Sequence, residues 1–294
     1  MTRRGWLLFA ALSLLWGLPY LLIRVAVRDL TPATVVAVRT GVGALLLLPL
    51  AVRRGGFRAA AAHWPAVLAF TGLEITGPWW LLAHAEQDLP SGLAGLLVAA
   101  TPLVAAVATR VIGGDTPLTR TRVAGLVIGL AGVAALLGLD VSRADVPAAG
   151  AVGLVVAGYG TAPLILNRYL HAVPPLAVIV TALGLTAAVY LPAAVTAAPT
   201  EDPQPAALVS VALLGAVCTA LAFVVFFALI ADAGPNRALV ITLINPAVAV
   251  ALSVTVLGEP LTPSTVCGFA LILTGAWAAT RRPRPSILSE PATP

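Results

Sequence analysis

Arg39 and Glu74 are the two ionisable side chains that fall well inside stretches of about twenty residues otherwise almost free of charge. A charge at such depth costs about 2.5–3.5 kcal/mol on insertion scales, so a partner or a task must offset it. At a rise of about 1.5 Å per residue, Arg39 lies about 9 Å and Glu74 about 15 Å below the same membrane face, a difference that a flexible guanidinium spans. Two chemistries follow, and they are compatible. The pair locks two helices as an ion pair, or Arg39 binds an anionic group while Glu74 takes up a proton. A second pointer is Thr101-Pro102 and Asn245-Pro246, each expected near the middle of an apolar stretch. A proline inside a helix removes an N–H and frees a carbonyl. The neighbouring Thr101 and Asn245 either satisfy that carbonyl or offer polar contacts to a ligand. Trp16 lies deep in the first stretch and is a candidate, with Tyr159, to line a central cavity. Trp79 and Trp80 point about 100° apart on a helix, so at most one of them faces inward. His84, beside Glu86, reads as a solvated interfacial group, and Trp6, Trp64 and Trp277 as interfacial belt residues.

The elements that hold these residues follow from composition. The chain has 294 residues, 60% hydrophobic and 10% charged, against roughly 25% charged in a soluble domain. Ten apolar stretches account for most of it, at 6–24, 33–52, 65–84, 91–111, 122–139, 149–169, 175–197, 207–231, 237–257 and 264–280. About 20 apolar residues cross the hydrocarbon core as a helix, the one element that satisfies its own backbone polar groups there. The fold class expected is therefore all-α integral membrane, with ten transmembrane helices and the lipid bilayer as partner. The net charge of +5 comes from seventeen arginines spread in ones and twos at stretch ends, which argues for a topological signal and against nucleic acid. Arginine without lysine, with abundant Ala and Gly, matches the composition of a GC-rich bacterial genome. Cys218 and Cys267 fall in apolar stretches as packing thiols. With no phosphate-cradling Gly loop, metal-ligand spacing or Ser-His-Asp arrangement, no cofactor is expected and energy must come from a gradient or from exchange.

Cytoplasmic loops collect arginine. An N-terminus inside puts thirteen arginines in the cytoplasm, among them Arg53, Arg54, Arg110, Arg120 and Arg168, and leaves Arg24, Arg28 and Arg143 outside. Both termini are then cytoplasmic in a multi-pass plasma-membrane protein. Asp29, Glu86, Asp88, Asp140, Asp145, Glu201, Asp202 and Glu259 collect on the outer side.

An offset of 143 residues aligns Gly17 with Gly160, Pro32 with Pro175, Pro49 with Pro192, Gly72 with Gly215 and Pro117-Leu118-Thr119 with Pro260-Leu261-Thr262. This divides the chain into repeats at 1–140 and 141–281, followed by a Pro-rich disordered tail at 282–294. Five spans per repeat is an odd number, so the halves enter the membrane from opposite sides, as inverted repeats do in secondary transporters. Arg39 and Glu74 align with Ala182 and Val217, so their chemistry belongs to one half.

Several motifs carry a resemblance. They are Trp16-Gly17, Pro32, Val38-Arg39, Leu89-Pro90-Ser91-Gly92-Leu93-Ala94 leading to Thr101-Pro102-Leu103, Asn245-Pro246, and Gly258-Glu259-Pro260-Leu261-Thr262. In this order and spacing they resemble the EamA-type branch of the drug/metabolite transporter superfamily over nearly the whole chain. The resemblance implies ten helices, cytoplasmic termini and, commonly, export of small metabolites or drugs. Gly114-Asp115-Thr116-Pro117 departs from it, since a Glu is common there. The function expected is alternating-access transport of a small organic molecule, with proton or exchange coupling, around a cavity of Trp16, Arg39, Glu74, Trp79, Thr101, Tyr159 and Asn245. The rivals are an intramembrane enzyme on a lipid-linked substrate, a passive channel and a scaffold subunit.

Overall fold

Caps and prolines at the stretch ends set the helices. In α1 (Arg3–Ala26) the Thr2 hydroxyl accepts from Gly5 N at 2.9 Å, and in α2 (Pro32–Arg54) Thr31 accepts from Thr34 N at 3.2 Å, with Pro32 in the first turn. Such hydroxyls satisfy N–H groups left over at a helix start, and proline fits there because its missing N–H is one of them. The short α3 (Phe57–Ala62) leads into α4 (Trp64–Thr71), a π-helical segment at Gly72–Thr76, and α5 (Gly77–Ala85), which run on as one rod. Next come α6 (Ser91–Val98), α7 (Thr101–Val111), α8 (Arg120–Leu139), α9 (Val146–Tyr169) and α10 (Pro175–Thr196). A second composite rod joins α11 (Pro205–Gly215), a π-helical segment at Ala216–Leu221 and α12 (Ala222–Ala233), and α13 (Asn245–Leu257) and α14 (Pro263–Thr280) follow. This computed structural model describes residues 2–111, 119–139, 145–197, 202–234, 241–242 and 244–280, all helical or connecting, with no strand among them. Gly114-Asp115-Thr116, Pro117-Leu118, Asp140, Arg143, Glu201, Arg237 and the tail from 281 lie outside these residues.

Seven described stretches are long and apolar enough to cross a membrane. They are Arg3–Ala26, Pro32–Arg54, Trp64–Ala85, Ser91–Val111, Val146–Tyr169, Pro175–Thr196 and Pro205–Ala233. Asn245–Leu257 and Pro263–Ala279 are apolar but shorter. Within the ninth expected stretch the described helix begins at Asn245, while residues 237–240 and 243 lie outside the described residues. Pro246 thus sits in the first turn of this described helix, where a missing N–H costs nothing.

The outward faces are greasy, as a lipid-solvated exterior requires, with Leu45, Leu46, Val52, Val189, Leu191 and Val195 exposed. Trp6, Trp64 and Trp277 stand exposed near helix ends, the position of an interfacial belt. Inside, α2 runs along α10 and α8 along α14. Small residues set the second contact. A Cβ on Gly132 would meet Gly268 O and Ile272 N at 2.8 Å, and one on Gly125 would meet Gly275 O at 2.7 Å. Close backbone approach of this kind drives helix association in lipid. Gly132→Ala should lower the thermal midpoint of the detergent-solubilised protein by an amount equivalent to about 1–3 kcal/mol of overpacking, because backbone atoms on α14 have no rotamer by which to yield. An unchanged melting curve would mean that the two helices do not meet here.

Packing is uneven along the rods. Ser91 to Leu97 are all buried on α6, whereas on α7 Leu103 is the one buried residue. On α1, Tyr20 to Ile23 and Ala26 are buried at the same end as α6. Burial on α1 and α6 is therefore concentrated at the end carrying Glu86 and Ser91, whereas α10 is buried at its opposite end, around Leu176–Leu183.

Candidate functional site

The two π-helical segments build the centre. A π turn inserts an extra residue into a helix and is frequent at functional sites. Residues 72–76 and 215–219 differ by the repeat offset, so the segments fall at corresponding places, and Thr76 corresponds to Thr219. Thr219 Oγ1 donates to Leu214 O, five residues back, at 2.8 Å, and accepts from Arg39 Nε at 3.1 Å. Its counterpart Thr76 shares a 2.7 Å hydrogen bond with Thr186 Oγ1 and has its own carbonyl held by Tyr190 OH at 2.9 Å. Hydropathy carries no trace of these widened turns. The Gly72/Gly215 and Thr76/Thr219 identities at a common offset were the available signal.

Arg39 is buried, 6% exposed, with its guanidinium carbon 3.6 Å above the centre of the Trp79 ring. A desolvated cation on an indole face gains about 2 kcal/mol, which offsets much of the cost of burial. The expected Arg39–Glu74 ion pair is absent from the described structure. Thr219 and Trp79 take the guanidinium instead, and the π turn changes the register of Glu74 relative to a regular helix. Glu74 is half-buried, and its Oε2 is enclosed without a hydrogen-bond partner. Trp79 is the inward member of its pair, while Trp80 stacks on exposed His84 at 5.2 Å.

Tyr159, half-buried between the two largest apolar clusters, lies within electrostatic range of both Glu74 and Arg39. Tyr20 and Cys218 lie within range of Arg39 as well. Trp16 sits further along α1, 4.9 Å from the Phe226 ring and 6.2 Å from Phe223. Asn245 reaches the same stretch of α1, since a Cβ on Gly17 would come within 3.1 Å of its carbonyl oxygen, and its Oδ1 is enclosed and unpartnered. Thr101 has a structural task. Its hydroxyl donates at 2.7 Å to Val98 O, the carbonyl left without a donor by Pro102.

Two acids expected on the outer side are built into the protein. Glu259 joins elements far apart in sequence. Its Oε1 accepts from Ser91 N at 2.9 Å and Ser91 Oγ at 3.2 Å, and its Oε2 from Gly92 N at 3.0 Å, which caps the start of α6. A carboxylate there is favoured by free N–H groups and by the helix dipole. Glu259→Ala should destabilise the fold by about 1–2 kcal/mol, as loss of a helix cap does. The check is a lower thermal midpoint with partial rescue by Glu259→Gln, and equal midpoints for all three proteins would remove the capping role. Glu86 is 0% exposed, and neither carboxyl oxygen has a hydrogen-bond partner. Beside it Arg24 donates to the backbone carbonyls of Glu86 and, at 2.7 Å, Gln87.

The sequence profile of the EamA-like transporter family matches this chain twice, over residues 3–138 and 148–281. A Bacillus subtilis protein named as an uncharacterized transporter, YvbV, is 25% identical over 272 residues, 91% of this chain and 88% of its own. An Escherichia coli K12 protein named as an uncharacterized inner membrane transporter, YedA, is 30% identical over 125 residues, 42% of this chain and 40% of its own. A solved crystal structure superposes with a TM-score of 0.66 over 95% of this chain and 98% of that one, at 22% identity, a likeness of fold.

Proposed function

Because the chain belongs to the EamA-like transporter family, we propose that it is a secondary transporter moving a small organic molecule across the bacterial plasma membrane by alternating access. Membrane transport of the drug/metabolite type is the activity that membership supports, and the names of its relatives point to transporters and away from enzymes. The finer reading is ten spans, obtained by adding Arg120–Leu139, Asn245–Leu257 and Pro263–Thr280 to the seven long stretches. They form two inverted halves with both termini cytoplasmic. Three relations support this. The family profile matches once in each half. The π-helical segments overlap at the repeat offset. Helices at corresponding places, α2 with α10 and α8 with α14, pack on each other as elements related by a twofold axis do.

The observation that carries the transport reading is a set of buried polar groups without ionic partners between the halves. These are Arg39, Glu74 Oε2 and Asn245 Oδ1, beside Tyr20, Trp79 and Tyr159. Intramembrane ionisable groups mark ion and substrate pathways. In this reading Arg39 orients substrate charge, Glu74 carries the coupling proton, and Trp16 with Tyr159 shapes the pocket. The test is uptake and efflux in proteoliposomes over amino acids, nucleosides and cationic drugs, with and without a pH gradient. Saturable flux that responds to the gradient or to counter-substrate is expected. Flux that follows concentration alone would favour a channel.

A further inference from the structure

At the end of the bundle carrying Ser91 a carboxyl group is enclosed where the two halves meet. Glu86 follows α5 by one residue, lies beyond the third span and is 0% exposed. Neither of its oxygens has a hydrogen-bond partner. Nothing in the substrate site reasoned above uses it. Buried carboxylates are paired or hydrogen-bonded, and one that is neither remains buried only as the neutral acid. Burial pushes this carboxyl well above the usual carboxylate range, with Arg24 and Arg39 lowering it and Glu259 raising it further.

The surroundings tie that protonation to the packing of the end. From α1 come Arg24 and Tyr20, from α2 Arg39, and from the loop after α13 Glu259. On its own loop, His84, Gln87 and Asp88 are exposed. Across this end the second half holds the first through Glu259 on Ser91 and Gly92, and through Gln204 N donating to Asp29 Oδ2 at 3.0 Å. An ionised Glu86 would face the Glu259 carboxylate from the opposite half and would need water that the closed end excludes.

We infer that Glu86 is a proton-binding site of the outer gate, occupied while α1, α5, α6 and α13 are closed over it and vacated to the outer solvent when the halves separate there. Proton release leaves a carboxylate that repels Glu259, hydrates as the gap opens and faces Arg24. The proton passes from the carboxyl oxygen to external water, so no other reactant is needed. The carboxyl holds its proton more tightly closed than open, so closure is favoured at low pH. The preference is lost as pH rises through the closed-state value. This site deepens the transporter reading and rests on it for the word gate, but its test needs no substrate.

The experiment uses the full chain in phosphatidylethanolamine–phosphatidylglycerol vesicles, with spin labels at Gln87→Cys and Leu261→Cys. Both positions are exposed, and the exposed Cys267 is replaced by Ser while Cys218 stays buried. Wild type should show one short separation at mildly acidic pH and gain a longer population at alkaline pH. Glu86→Gln should stay short throughout, and its infrared spectrum should lose a protonated-carboxyl band that wild type shows at neutral pH. Glu86→Asp, which keeps an acid, should keep the pH response and serves where Gln impairs folding. Glu74→Gln should keep it too, which separates this site from the coupling role given to Glu74. The inference is overturned if the separation ignores pH in wild type, if Glu86→Gln responds as wild type does, or if the infrared band survives in Glu86→Gln.

Discussion

Replacing Glu74 with Gln should reduce pH-gradient-driven flux to the level of protein-free vesicles while leaving the protein folded and able to exchange substrate for substrate. The side chains are nearly equal in volume, so packing around the π-helical segment survives. Glu74 Oε2 has no donor to lose. The cost to stability is then that of a new amide NH2 group without a partner, about 1–3 kcal/mol. What the variant cannot do is release a proton. A carrier whose coupling group is permanently neutral keeps the loaded transitions of exchange and loses the proton-linked ones, so the two assays should part. Equal loss in both, with a collapsed melting curve, would identify Glu74 as structural. Intact gradient-driven flux would remove its coupling role altogether.

The parts of this protein legible in its sequence were those written in hydropathy and in helix-end chemistry. The expected stretch at 91–111 coincides with Ser91–Val111, and that at 175–197 with Pro175–Thr196. Charge is excluded from such segments, and prolines such as Pro32, Pro175 and Pro263 open the helices. Asn245-Pro246 went the other way. A proline reads equally as a kink or as a first turn, and hydropathy continuous from 237 favoured the kink, whereas Pro246 lies in the first turn of the described helix Asn245–Leu257.

The site was half legible. Arg39, Glu74 and Trp79 stand out by type and depth, but a helical wheel assumes a constant turn, and the π-helical segments break that assumption at Glu74 and Thr219. Thr219 was therefore missed, and of the partners open to the guanidinium, a carboxylate or an anionic ligand, the structure shows neither but an indole face and a hydroxyl. Glu86 and Glu259 were missed for a different reason. Acids in short polar connections read as solvated, and which connection folds inward is decided by contacts between halves that no local window contains.

Arg39 offers the sharpest separation of structure from function, because its partners are neutral. Breaking a buried ion pair strands the opposite charge at a cost of about 3–5 kcal/mol, but removing Arg39 strands none. Thr219 Oγ1 keeps its bond to Leu214 O, and Trp79 loses a cation from one face. Arg39→Ala should consequently remain folded, with a melting midpoint close to that of wild type, and should lose saturable transport of every substrate the wild type carries. Arg39→Lys should recover part of it. An ammonium supplies the charge, but it cannot present a flat face to Trp79 while donating sideways to Thr219 as a planar guanidinium does. Flux by Arg39→Ala equal to wild type would remove the substrate-orienting role. If the substitution instead unfolded the protein, the cation on the indole ring would be a structural clamp, and the substrate's charge would have to be met elsewhere in the cavity, with Asn245 Oδ1 and Tyr159 the polar groups left to meet it.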